Sequence, residues 1–157
     1  MWINFVLLDL NCYFVSRFEK EIVSVTAVYQ DIKHQLELKN NKLYLGDLPY
    51  TGMLKKKHKD ELCEINYCNG EMHGIYKCFY LNGTIKEISL YKNSVLDGRC
   101  IYYWPCGQKQ MNVSYVDGEM DGLYEEWNEM GVLVCRKNYF KGKLISIKGC
   151  SFLPSTV

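Results

Sequence analysis

The sequence has no charge of one sign to spare: 19 basic residues against 18 acidic ones leave a net charge of +1. Such a chain has no long-range field to draw in a nucleic-acid backbone, so no nucleic-acid partner is expected. It also lacks an apolar run approaching the ~20 residues that span a bilayer. Met1 to Leu8 is apolar, but no Lys or Arg precedes it, Asp9 and Asn11 interrupt it, and no small-residue cleavage site follows. Export is therefore not expected, and the thiols are expected to be reduced in a soluble, cytoplasmic protein. No C-x-x-C pair occurs among Cys12, Cys63, Cys68, Cys78, Cys100, Cys106, Cys135 and Cys150, and the three histidines, His34, His58 and His73, do not stand at zinc-ligand spacings. Neither a metal nor a cofactor is expected on those grounds.

What the chain does have is tyrosine, 13 in 157 residues, which favours β structure, and a repeat. Tyr67-Cys-Asn-Gly-Glu-Met-His-Gly74 is followed by Tyr91-Lys-Asn-Ser-Val-Leu-Asp-Gly98 and by Tyr115-Val-Asp-Gly-Glu-Met-Asp-Gly122, and a fourth copy opens at Tyr139-Phe-Lys-Gly142; the spacing is 24 residues throughout. Gly83, Gly107 and Gly131 recur at the same interval. Between the glycines run side-chain columns: Phe79, Tyr103 and Trp127 in one, Tyr76, Cys100 and Tyr124 in another. Glycine tolerates the positive φ of a tight turn. Asn82-Gly83 between two runs of β-formers reads as a hairpin turn, and a six-residue link, Asn93 to Gly98, leads into the next unit. A lone hairpin is marginal in water, so the units must share their faces. The expected fold is mainly β, consecutive antiparallel hairpins in a single-layer, elongated sheet.

These segments resemble the variant MORN repeat found in YwqK-family antitoxins, and Leu43-Tyr-Leu-Gly-Asp-Leu-Pro-Tyr-Thr-Gly52 resembles that family's lead-in. Together they cover about residues 43 to 149. The resemblance implies an elongated sheet of consecutive hairpins and a binding role, toward a partner protein such as a cognate toxin or, alternatively, toward membrane phospholipid. It implies no catalytic residues. Ser94 departs from the pattern where Gly70 and Gly118 stand, and the first unit is shorter, with no glycine in its turn near His58 to Glu61. Residues 1–33 are read as a cap or leader, 34–149 as the array with regular units from 67, and 150–157 as a tail.

Candidate residues follow from this reading. Tyr76, Phe79, Tyr103, Trp104, Tyr124 and Trp127 are the protein-binding candidates, because Trp and Tyr dominate interaction hot spots and a row of hairpins displays them at a regular interval. Lys55, Lys56, Lys57 and Lys59 form the densest basic run and are the candidates for an anionic contact. The competing expectations are core packing for the aromatics and a solvated turn for the lysines. Phe5-Val-Leu-Leu-Asp9-Leu-Asn-Cys-Tyr13-Phe-Val-Ser16 is similar to the first palm motif of Y-family DNA polymerases, but no Ser-x-Asp-Glu segment follows to complete a two-metal site. No residue is assigned a catalytic role.

Overall fold

Runs of tyrosine, isoleucine, valine and other β-formers, cut by Asn and Gly at short intervals, produce strands and no helix among the described residues. The computed structural model describes residues 26–28, 34–58 and 61–149. Thirteen strands follow in chain order: β1 (Thr26–Val28), β2 (Leu36–Lys39), β3 (Lys42–Leu45), β4 (Leu48–Pro49), β5 (Gly52–His58), β6 (Glu61–Cys68), β7 (Glu71–Tyr80), β8 (Ile85–Lys92), β9 (Val95–Tyr103), β10 (Lys109–Val116), β11 (Glu119–Trp127), β12 (Leu133–Phe140) and β13 (Lys143–Lys148). Strands β5 to β13 lie side by side in sequence order as an antiparallel meander, and β1 pairs in parallel with β5 at the opening edge. The sheet does not close on itself, and β13 forms its other edge. The hairpin array expected from the repeat is thus the fold observed. The rest of the segment 1–33, and with it the polymerase-like stretch, lies outside the described residues.

The turns differ from expectation in an instructive way. Asn69-Gly70, Asn93-Ser94, Asp117-Gly118 and Lys141-Gly142 all have positive φ at both residues, and the residues flanking each pair face one another across the ladder. That is the two-residue type I′ hairpin, whose twist matches the strands it joins. The six-residue link is therefore a two-residue turn, and Gly74, Gly98 and Gly122 belong to strands. Ser94 keeps the same turn as its glycine neighbours, with φ 66°, and its Oγ accepts the Met72 N–H at 3.0 Å. At the other end of each unit, Gly83 donates its N–H to the Tyr80 carbonyl, Gly107 to Trp104 and Gly131 to Asn128. There the glycine closes a longer loop and is not the second residue of a two-residue turn.

Neighbouring units are tied at both ends. Ser94, Gly118 and Gly142 donate their N–H groups to the Met72, Leu96 and Met120 carbonyls at 2.8, 2.8 and 2.9 Å. At the opposite end the Tyr80 hydroxyl donates to the Tyr103 carbonyl and the Trp104 indole N–H to the Trp127 carbonyl, a contact that recurs with the repeat.

Residues 36–49, at the head of the expected array, form a separate three-stranded sheet, β2-β3-β4. It docks on the first turn of the array: the Leu43 N–H donates to the Gly70 carbonyl, and the Gly70 N–H to the Tyr50 carbonyl, both at 2.8 Å. Tyr50 and Leu54, 4% and 2% exposed, are the buried centre of the cluster they form with Leu36, Leu43, Leu45 and Tyr67.

Alanine at Gly70 and at Gly83 would sit at nearly the same angle, φ 81° and 82°, so both substitutions carry the left-handed penalty of about 1–2 kcal/mol. Only at Gly70 does the added Cβ meet neighbours, the Leu43 carbonyl oxygen at 2.8 Å and the Lys42 Cβ at 2.9 Å. Gly70→Ala should therefore lower the Tm more than Gly83→Ala in thermal unfolding followed by circular dichroism. Equal shifts would show that the small sheet does not rest on this turn.

Candidate functional site

Side chains alternate between the two faces along every strand, and the register decides which columns share a face. Ile65, Tyr76, Ser89, Cys100, Val113 and Tyr124 face one another in succession across β6 to β11. Cys63 and Cys78 lie on this same side, two residues along from Ile65 and Tyr76. Here the chain is most enclosed: Ser89, Cys100, Val113 and Cys78 are 0%, 1%, 1% and 2% exposed. The tyrosines that open each repeat belong to this buried face. Tyr91 packs edge-on against Tyr76 at 6.0 Å and Tyr139 against Tyr124 at 6.3 Å. Cys100 replaces the ring at the equivalent middle position.

The opposite face is open. It carries Leu62 directly across from Phe79, and Ile75 directly across from Leu90; Leu62, Ile75 and Leu90 remain 42%, 40% and 37% exposed. A groove of about 470 Å³ runs between Leu62, Phe79, Leu81 and Lys57. Farther along, Glu125 is buried on this face and accepts both the Nε and an Nη of Arg136, at 3.0 and 2.6 Å.

The six aromatic candidates therefore do not form one surface. Tyr76 and Tyr124 belong to the buried face; Phe79, Tyr103 and Trp127 alternate to the open one. All are half-buried. Trp104 is committed through its indole N–H to the next hairpin, and Lys109 covers the Trp127 ring at 5.9 Å. The basic run is also divided, because Lys55, Lys56 and Lys57 stand in strand β5 and point alternately to the two faces. Lys55 is paired with Glu64 at 3.0 Å, and Lys59 lies outside the described residues. His73 sits within β7.

Sequence spacing missed the polar cluster on the buried face. Cys63 and Cys78 oppose each other across β6 and β7, with sulfurs 3.0 Å apart. The Tyr76 hydroxyl donates to the Cys63 sulfur at 3.3 Å, and the Cys78 thiol donates to Glu61 Oε2 at 3.5 Å. Lys86 forms an ion pair with Glu61 Oε1. Burial, together with Cys63 beside it, pushes the Cys78 thiol up to about 12. Burial raises Tyr76 as well, reinforced by its hydrogen bonds to the two thiols. One repeat on, Glu87 accepts from the Ser89 hydroxyl at 2.6 Å and lies beside Cys100; burial raises that thiol and Tyr102 too. Spacing alone does not reveal the cluster: a hairpin centred on 69–70 would set residue 63 opposite 76, and it is the register shift between Ile65 and Tyr67 that brings Cys63 opposite Cys78.

Cys63, Cys68, Cys78, Cys100 and Cys106 carry no disulfide. Cys135 is disulfide-bonded, with its partner outside the described residues, so the expectation of reduced thiols fails at that position. No described helix is long and apolar enough to cross a membrane. No protein-family model matches the chain, and a search of curated proteins finds no match.

Groups raised by burial keep their protons in the folded chain, and their stabilisation is complete below the unfolded pKa and lost above it. For Cys78 the window runs from 9.0 to about 12, and for Tyr124, raised by burial and by its hydrogen bond to Glu126, from 10.0 to about 12. The Tm in metal-free buffer should be level around neutrality and fall from about pH 9 upward. Cys78→Ser should make the fall between pH 9 and 10 shallower without abolishing it, because burial raises the Cys100 thiol as well; an unchanged slope would rule out Cys78 as a contributor.

Proposed function

We propose that this chain is a non-catalytic protein-interaction module, an antitoxin- or immunity-type repeat protein that covers a partner protein with the open face of its sheet. The observation that carries the reading is the pairing of Leu62 with Phe79 and of Ile75 with Leu90 on that face, exposed and beside a groove of about 470 Å³. Exposed apolar groups gathered on a rigid face mark an interaction surface, and the face opposite is already occupied by the protein's own packing. Tyr103 extends the surface along the repeat. The 24-residue units that resemble variant MORN repeats are consistent with such a role, since each added hairpin lengthens the face without changing its chemistry.

The phospholipid alternative has less support. It relied on Lys55, Lys56, Lys57 and Lys59 acting as one patch, and the strand that carries the first three divides them between faces.

Tagged full-length chain, purified from its native cells, should retain a protein partner in stoichiometric amount. Phe79→Asp and Tyr103→Asp, placed on the open face, should each weaken that complex about 30-fold, the scale of a hot-spot loss of ~2 kcal/mol, while changing the Tm little. Absence of any stoichiometric partner, or equal retention by both variants, would count against the reading.

A further inference from the structure

We propose that Glu61, Cys63 and Cys78 form a binding site for one thiophilic divalent cation of the zinc class. The donor atoms, one carboxylate oxygen and two sulfurs, all lie within 4.8 Å of one another. The scaffold beneath them is regular: Glu61 and Cys63 stand two residues apart on β6 and so share a face, while Cys78 is directly across the ladder from Cys63. A mixed sulfur and oxygen set suits zinc, which takes Cys at about 2.3 Å and Glu at about 2.0–2.2 Å. With the sulfurs now at 3.0 Å, a tetrahedral ion between them needs an S···S edge of about 3.7 Å, an opening that small side-chain rotations supply.

Three further observations point the same way. Lys86 holds the second oxygen of Glu61 and the Tyr76 hydroxyl points at the Cys63 sulfur, the outer partners that orient a ligating carboxylate and support a thiolate. Charge also balances, since two thiolates and one carboxylate are offset by a dication and the Lys86 ammonium. Finally, the repeat does not require the whole set here. The positions of Cys63 and Cys78 are occupied by Glu87 and Tyr102 one unit later and by Met111 and Glu126 in the next; cysteines return to both at 135 and 150, where Leu133 stands in place of Glu61. Glu87, opposite Cys78 on β8, turns instead to Ser89 and Cys100, which leaves Glu61 as the carboxylate of the set.

Without a cation Cys78 is a poor nucleophile, because burial, with Cys63 and Glu61 beside it, holds its proton on. A dication reverses that preference; its uptake would displace one proton from each thiol, and no oxidant or reductant is involved. A disulfide between the same two sulfurs is the competing fate of the pair.

Cobalt(II) titrated anaerobically into the full-length chain, without thiol reductant so that the Cys135 bond survives, tests the site. One equivalent should bind per chain, with sulfur-to-cobalt charge-transfer absorption that zinc then displaces. Cys63→Ser and Cys78→Ser should each abolish the band. Glu61→Gln, which keeps both thiols, should weaken cobalt binding by about 10- to 100-fold, and Cys106→Ser should leave it unchanged. A folded chain with Cys63 and Cys78 free that gives no band would overturn the proposal, as would a band that persists in Cys63→Ser. So would finding the two cysteines joined to each other in the protein as isolated from cells.

Discussion

The structure depends on strand register, and the register depends on the two-residue turns. A slip of one residue would move each strand's buried set to the other face, and a single-layer sheet has no second layer to correct the error. Positive φ at both residues of Asn69-Gly70, Asn93-Ser94, Asp117-Gly118 and Lys141-Gly142 fixes the pairing on either side. As a result Tyr67, Tyr91, Tyr115 and Tyr139 fall opposite Met72, Leu96, Met120 and Leu144 across those turns. On the other neighbour, reached through the longer connections, they fall opposite Gly52, Gly74, Gly98 and Gly122. A ring with glycine to one side and a flexible apolar chain to the other has room to lean along the sheet. Tyr91 and Tyr139 do so toward Tyr76 and Tyr124.

From that register follows the inequality of the faces. One side gathers the tyrosines, the thiols and Val113 and excludes water; the other keeps Leu62, Ile75 and Leu90 substantially exposed. A sheet with both faces open would have little to hold it together, and one with both faces closed would have no surface left for a partner. The main-chain bonds between units, from Ser94 to Met72 and onward along the repeat, keep the open face from shearing without consuming its side chains.

Much of this was legible in the sequence because the repeat is written in glycine and tyrosine, whose roles are local. The mainly β class and the hairpin order follow from spacing alone. The turn type did not, because Asn-Gly occurs at both ends of a unit and spacing cannot say which end closes in two residues; the hydrogen bonds of Gly83 and Gly107 decide it. The lysine run misled for a related reason. Four lysines in five residues look like one patch, yet a strand sends neighbours to opposite faces. The separate sheet at 36–49 was hidden because its chemistry, Leu43-Tyr-Leu and Pro49-Tyr50, resembles a lead-in to the array.

Comparison between units separates what the fold requires from what it merely permits. Positions 67, 91, 115 and 139 are tyrosine each time, and that constancy has a structural reason in the ladder. The column through Cys63 holds Glu87, Met111 and Cys135 in later units, and the column through Cys78 holds Tyr102, Glu126 and Cys150. A column that accepts a thiol, a carboxylate and a thioether in turn is not being held to one packing solution. Its chemistry is therefore open to local use: cysteine stands in both columns at 63/78 and again at 135/150, and only the first pair has a carboxylate two residues away, Glu61 where the last unit has Leu133. The array thus repeats its backbone and its tyrosines, while individual units differ in the groups they bring together.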